Sequence, residues 1–529
     1  MMDRLTGLDG LFLHSETTVM PTHILAVAFV DPAARGDLTA GALSRLFADR
    51  ASAIPAFRQR LLSKPFGLGQ PAWVEDPAFE VANHVRRMRL PRPGTTRELS
   101  AVVGELHSRP LDRRRPLWEA WVIQGLADGR LAVAIKFSHA MADGVGAVTS
   151  LLPEFMTADP EAEFDSAPER SLAAASSMPG VAERIHDVVD EFAANTAKGV
   201  RLTAKLAPVA VKALLRTAVG SGIAGPEPVV DPGEATVPTA GGGQGEITLH
   251  KRLNAPLTPR RSVAFAGIPM QDLRIIADAF GVTVNDVFLT ATTSALRRWS
   301  ETHEAVTYSP LRTTMPISTR GADDDASNSW SMAVVSLPVH LTTVEAQLAS
   351  IHAQTSRIKK GRRSASPINL GDVIDLVPPA LIGLASGLYS SLKLSRFHNP
   401  VADMITSNVP GPAQQMYCAG AHVLGIHPMA PLAEGANLNV TAVSYGGTFD
   451  VGIVACPDNI EDVESIARSI EDVIGELKTT AEERTGRRAE SAVAALVEPV
   501  LAPSAATQFS VDQKRVAVAK RIAGTKQPA

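Results

Sequence analysis

The sequence predicts a mixed α/β protein in two halves, each a mixed sheet flanked by helices. Two observations carry this. Strand-like and helix-like segments alternate before residue 156 and again after residue 256, and a stretch rich in Ala, Pro, Ser and Gly separates them. In the first half, residues 23–30 read as a strand, 42–51 and 99–108 as helices, and 118–124 as a strand. Residues 131–137 then alternate, with Leu131, Val133, Ile135 and Phe137 on one face and Ala132, Ala134 and Lys136 on the other. That period of two marks a half-buried strand.

Residues 157–179 read as a surface linker, 181–219 as an Ala-rich helix broken or kinked at Pro208, and 220–245 as a flexible connector containing Gly-Gly-Gly. In the second half, 263–269 is a strand and 273–280 a helix closed by Gly281. Residues 285–298 form a further helix, and 311–317 and 332–339 two strands. Residues 440–445 and 449–454 make a hairpin across Gly446-Gly447, and 461–478 is the last helix. From Thr479 the chain is charged, then Ala-rich, then basic, as in a weakly ordered tail. The expected boundaries are therefore 1–156, 157–255, 256–478 and 479–529.

Composition narrows the function. The chain has 529 residues, 45% of them hydrophobic, with a net charge of -4, which is ordinary globular composition without a basic footprint for nucleic acid. Cys418 and Cys456 stand far apart without metal-ligand spacing, so neither a zinc site nor a disulfide framework is expected, and a reducing cytoplasm fits. The N-terminus lacks the basic start and apolar core of a secretory signal. Residues 376–392 carry no charge, but they include Pro378, Pro379, Gly383 and Gly387 and are short for a bilayer of roughly 30 Å. Between Glu191 and Glu227 there is no acid, whereas Lys198, Arg201, Lys205, Lys212 and Arg216 are basic. That stretch reads either as a contact with an anionic membrane or as a helix with a solvated basic face.

The strongest chemical signal is Ser138-His139-Ala140-Met141-Ala142-Asp143-Gly144, which follows the alternating strand. An imidazole at a strand end, with a carboxylate four residues on and a turn glycine, suits a general base on a rigid scaffold. There is no G-x-S-x-G elbow and no catalytic cysteine context, so direct attack by an acceptor is favoured over a covalent acyl-enzyme.

Further segments extend this pattern into a resemblance. These are Leu8-Asp9…Phe12-Leu13 with His23, Pro116-Leu117-Trp118-Glu119, and the Ser138–Gly144 motif. Thr283-Val284-Asn285-Asp286-Val287 and Met315-Pro316-Ile317-Ser318-Thr319-Arg320 follow, then Ser407-Asn408-Val409-Pro410-Gly411-Pro412 and Ser444-Tyr445-Gly446-Gly447. In this order they resemble the bacterial wax ester synthase/diacylglycerol acyltransferase family of the CoA-dependent acyltransferase superfamily. The resemblance implies two chloramphenicol-acetyltransferase-like domains with an active-site tunnel between them. It implies acyl-CoA as co-substrate, diacylglycerol or a long-chain alcohol as acceptor, and no bound cofactor or metal. It also implies peripheral association with the inner face of the membrane or with lipid inclusions.

Carried over by position, His139 is the general base. Asp143 structures its loop by an ion pair, for which Arg320 is a candidate partner, or else orients the imidazole. Ser138, Gly144, Asn285, Asp286, Ser407 and Asn408 fall along the substrate site. Pro116, Leu117 and Trp118 either line the acyl tunnel or pack in the core, and Asn285 and Asp286 also fit a helix N-cap. Val409 to Pro412 reads as a rigid turn. One position departs from the family motif: its first histidine is Ser138 here, which can hydrogen-bond but cannot titrate near neutrality. The alternatives are another acceptor on the same fold, or a lipid-binding paralogue without chemistry. Acyl length and oligomeric state stay open.

Overall fold

The computed structural model describes residues 3–142 (except 6, 35, 37 and 65–68), 154–162, isolated positions within 180–191, 248–305, 309–318, 330–361 and 379–501 (except 399). Asp143, Gly144, Arg320 and the basic stretch 198–216 lie outside the described residues.

The first half supplies strands β1 (Asp3–Arg4), β2 (His23–Asp31), β3 (Gln59–Leu62), β4 (Ala72–Glu75), β5 (Val85–Arg89), β6 (Trp118–Gln124) and β7 (Leu131–Ser138). The second supplies β8 (Ser262–Pro269), β9 (Leu311–Ser318), β10 (Trp330–Leu337), β11 (Met404–Pro410), β12 (Tyr417–Cys418), β13 (Ala421–Met429), β14 (Leu438–Tyr445) and β15 (Thr448–Ala455). They form two six-stranded sheets, in the orders β12-β13-β2-β7-β6-β5 and β10-β9-β11-β14-β15-β8, and a small sheet β1-β4-β3. Both large sheets are mixed: β5 runs parallel to β6, and β11 parallel to β9 and β14. The fold class is α/β, as the alternation of elements requires.

The second half lends strands to the first sheet. Strand β13 comes from the second half but pairs antiparallel with β2 of the first sheet, His427 opposite Val27 and Met429 opposite Leu25. It also packs on β15 at close range. A side chain at Gly452 would meet the Pro428 carbonyl oxygen at 1.8 Å, so only glycine fits there.

Strand β7 is buried on both faces, where alternation suggested one. Leu131, Val133 and Phe137 join a core with Phe47 of the helix Ala40–Ala53, while Ala132 and Ala134 join another with Leu99, Val103 and Leu106 of the helix Thr96–Ser108. Helices therefore cover both faces, and Lys136 sits in the interior. Its ammonium donates to the carbonyls of Leu106 (3.1 Å) and Arg109 (2.9 Å) and pairs with Glu119 at 3.1 Å. Burial lowers the Lys136 pKa, and Glu119 partly offsets this.

In the second half, Gly281 closes the helix Met270–Phe280 with φ of 71°, as expected. The Gly446-Gly447 hairpin also forms. Val409 and Pro410, read as part of a turn, instead complete β11 beside Val443 and Ser444. A proline is tolerated there because the strand is ending and the next ladder donor, the Gly411 N–H, reaches the Ser444 carbonyl at 3.0 Å. The last helix runs Val463–Leu501, beyond the expected end at 478. Residues 479–498 contain no proline and are rich in Ala, Glu and Arg, all strong helix formers. Residues 1–478 form one compact unit and the chain from Thr479 another. Among the described residues no single helix is long and apolar enough to cross a membrane.

Candidate active site

The His139 turn grows directly out of β7. Ser138, opposite His23 of β2, is the last ladder residue. Its N–H donates to the Leu117 carbonyl (2.9 Å) and its carbonyl accepts from the Met141 N–H (2.9 Å), closing a four-residue turn. The Ser138 hydroxyl oxygen accepts from the Ala140 N–H at 3.3 Å, a local bond typical of serine in turns. Ser138 is thus buried and engaged in shaping the turn.

This turn leaves His139 half-buried, its ring stacked on Phe12 with centroids 3.8 Å apart and planes 13° from parallel. Phe12 belongs to the helix Gly7–Ser15. That helix is fixed beneath the turn because Leu13 packs with Leu5, Leu117 and Ala140 in one apolar cluster. Stacking sets the plane of the imidazole. On the other side, Met141 and Ala142 pack against a core that includes Val409, Val443 and Tyr445 of the second half. The turn is therefore braced from both halves.

Beneath the turn lies a buried pair of imidazoles. His23 donates through Nε2 to the His107 carbonyl (3.0 Å), and His107 through Nε2 to the Met429 carbonyl of β13 (3.3 Å). Burial, reinforced by His107 and Lys136, holds His23 well below the ordinary imidazole pKa, and burial with Arg261 and Lys136 holds His107 at about 3. Both are neutral across the physiological range.

The other expected residues fall into distinct groups. Pro116, Leu117 and Trp118 are buried, and the Trp118 indole N–H donates to the Phe57 carbonyl (2.7 Å) while its ring stacks on His84. Asn285 and Asp286 start the helix Val284–Thr302, but the N-cap is Thr283. The Thr283 hydroxyl accepts from the Asp286 N–H, and the Asp286 carboxylate reaches back to the Thr283 N–H at 2.9 Å, a reciprocal capping box. Asp286 also accepts from Thr355 (2.7 Å) and His352 (2.9 Å) of the helix Val344–Gly361. Burial pushes its pKa up, yet these hydrogen bonds outweigh burial and leave it below the usual value. The Asn285 amide instead lies against the Met315 sulfur at 3.5 Å.

Ser407 and Asn408 are half-buried on β11, opposite Thr441 and Ala442 of β14. The segments around 407–412 and 444–447 lock together: Gly411 donates to Ser444 and Gly446 to the Pro412 carbonyl. The buried Tyr445 hydroxyl accepts from the Met416 N–H (2.9 Å) and donates to the Val423 carbonyl (2.9 Å). A cavity of 710 Å³ lies elsewhere, lined by Thr96, Arg97, Phe265, Asp462 and Arg468 among others, and no residue of the His139 turn reaches it.

Sequence reasoning missed His352 and Thr355 as partners of Asp286, because nothing local marks them. Phe12 was visible in the opening segment, although its stacking on His139 was not.

Two mixed sheets brace the turn that carries this strand-end histidine. The Marinobacter aquaeolei VT8 wax ester synthase/diacylglycerol acyltransferase superposes with TM-score 0.62 at 24% identity, covering 91% of this chain and 100% of that one. The trichothecene 15-O-acetyltransferase of Fusarium sporotrichioides superposes with TM-score 0.52 at 12% identity, over 90% and 94%. Residues 5–288 match the wax ester synthase/diacylglycerol acyltransferase catalytic domain and residues 326–478 the WS/DGAT C-terminal domain. Two Mycobacterium tuberculosis proteins named as diacylglycerol O-acyltransferases are each 31% identical. One alignment covers 90% of both chains, the other 94% of this chain and all of the relative. The chain belongs to the wax ester synthase/diacylglycerol acyltransferase family and is an O-acyltransferase.

Proposed function

We propose that this enzyme transfers a long-chain acyl group from acyl-CoA to a hydroxyl of diacylglycerol, and also to long-chain alcohols, with His139 as general base. The observation that carries the reading is the half-buried His139 ring held against Phe12 on a turn braced by both halves. In the reaction, His139 takes the acceptor hydroxyl proton as the oxygen attacks the thioester carbonyl. The tetrahedral intermediate then collapses, the C–S bond breaks, and the imidazolium returns the proton to the departing thiolate. General-base catalysis of this kind contributes roughly 10²–10⁴-fold.

Ser138 shapes the turn, and Asp143 is assigned the loop-structuring role on the motif alone. Asp286 fixes the wall of the second half through Thr283, Thr355 and His352, while Asn285, Ser407, Asn408 and Gly144 are the candidates for substrate contact. Pro116, Leu117 and Trp118 support the site through packing. No bound cofactor is required, and both substrates place the enzyme at a membrane or lipid-inclusion surface on the cytoplasmic side.

Thiol release from palmitoyl-CoA, with and without diolein or hexadecanol, tests the reading. Wild type is expected to release CoA in an acceptor-dependent way, and His139→Ala to lose 10²-fold or more. Acceptor-dependent turnover by His139→Ala at the wild-type rate refutes the base assignment. A wild type silent with every acceptor supports the lipid-binding alternative, which the serine at position 138 favours.

A further inference from the structure

The helix Pro379–Ser391 is built with its polarity inverted. Its body-facing side carries Gly383, Ser386 and Ser390, whereas Leu381, Leu384 and Leu388 face outward. The small residues let it lie close on the helix Gly7–Ser15: a side chain at Gly383 would stand 3.5 Å from the His14 carbonyl oxygen, and Ser390 meets Thr17 at 3.3 Å. The leucines fall at i, i+3 and i+7, one continuous stripe that Leu392 extends. Leu384 and Leu392 are each 60% exposed, and beyond them Phe397 is 79% and Val401 73% exposed. A contiguous apolar surface of this kind on a folded domain marks a contact site.

Charge identifies what the surface contacts. From 376 to 402 there is no Asp or Glu, while Lys393 and Arg396 stand exposed beside the leucine stripe. Apolar side chains flanked by cations, with no acid among them, complement an anionic phospholipid surface. The position also matters, because the helix underneath carries Phe12, which stacks on His139.

We propose that the outward face of Pro379–Ser391, with Leu392, Phe397 and Val401, seats the protein on an anionic phospholipid surface, so that a neutral lipid acceptor is drawn from the membrane beside the helix carrying Phe12. The inference rests on the membrane-surface reading above and names the surface that makes the contact. The other stretch with this potential, 198–216, lies outside the described residues.

The test combines flotation with activity, using the full chain and vesicles of anionic phospholipid containing diolein. Wild type is expected to float at low salt and to be released as salt rises. The double variant Leu384→Asp with Leu388→Asp is expected to lose flotation at least tenfold, and activity on vesicle-borne diolein by a similar factor. Its turnover of a short-chain acyl-CoA with a water-soluble alcohol should stay within twofold of wild type, and its melting temperature should match. A second variant, Lys393→Glu with Arg396→Glu, is expected to float only weakly at low salt. The proposal is overturned if wild type stays at the bottom of the gradient, or if the leucine variant floats as wild type does. It is also overturned if the leucine variant only converts a dimer to monomers while flotation is unchanged, since a second copy then covers this face. If wild type floats and loses flotation with these variants but releases no thiol from any acyl-CoA, the docking surface stands and the proposed chemistry fails.

Discussion

The two large sheets bury polar groups in opposite ways. Under the His139 turn, the first sheet encloses imidazoles in neutral form: His23 and His107 are fully buried, and each donates one N–H to a backbone carbonyl. The second half encloses carboxylates in ionised form. Asp403, beside β11, accepts from the Arg312 N–H (2.7 Å), from the Asn254 amide (2.9 Å) and from His250 at 3.2 Å. Burial raises its pKa, but these partners overrule burial and hold it at about 2. Donor supply makes the difference. A buried carboxylate keeps its charge when several donors converge on it, whereas a buried imidazole surrounded by other cations gives its charge up.

The largest effect that sharpens this contrast is expected from Asp403→Ala. It strands Asn254, His250 and the Arg312 N–H and should destabilise the fold by about 3–5 kcal/mol, read as a fall in the urea midpoint. Because the folded pKa is depressed, the contribution of Asp403 is present above about pH 4 and is lost only as pH falls toward 2.

Asp450 at the β13–β15 seam breaks the pattern, and its variant should show the next largest effect. Its carboxyl accepts from the Ile426 N–H at 2.7 Å, but burial dominates and pushes the pKa up to about 7. The folded state therefore holds a proton that the unfolded chain releases near pH 4. Stability falls as pH rises from about 4 to 7, by up to about 4 kcal/mol. Asp450→Asn should remove that slope, raising the melting temperature at pH 8 and leaving it nearly unchanged at pH 4. Unchanged melting at pH 8 would mean that the carboxylate ionises without penalty.

His107 should act with the opposite sign. Its depressed pKa means that the unfolded chain binds the extra proton, so stability is full above about pH 6.5 and drops by about 2 kcal/mol on reaching pH 5. His107→Gln keeps a donor for the Met429 carbonyl and should remove this share of the acid-induced fall in stability between pH 7 and pH 5, leaving the share of His23; an unaltered slope would assign the acid sensitivity elsewhere.

The smallest effect is expected from Ser138→Ala. Losing the turn bond to the Ala140 N–H costs roughly 0.5–1.5 kcal/mol, which corresponds to about tenfold or less in turnover, far from the loss in His139→Ala. A fall to the His139→Ala level would give Ser138 a chemical role beyond the turn.

Much of this was legible in the sequence wherever the cause is local. Strand β6 has the expected limits, β7 runs one residue further, and Gly281 and Gly446-Gly447 close a helix and a hairpin as their chemistry dictates. Burial of the second face of β7 was hidden, because Ala132, Ala134 and Lys136 do not look like core. Lys136 is tolerated only through carbonyls and a glutamate contributed by other elements. Strand β13 was missed: it contains Gly425 and Pro428, and its ladder partner lies in the opposite half of the chain. The place of His139 on a strand end was readable, but the partners that hold the site, Phe12 and the pair His352 and Thr355, meet it only through folding.

The crossing of β13 into the first sheet also constrains how the protein is made. Until residues 421–429 leave the ribosome, β2 is paired only with β7 and its other apolar edge stays open, so the first sheet remains incomplete until nearly four hundred residues beyond β2 have been made. Pairings of such long sequence separation form slowly. A fragment ending before β11 is therefore expected to aggregate on expression rather than to accumulate as a folded domain, and supplying the missing part in trans should rescue it only when β13 is included.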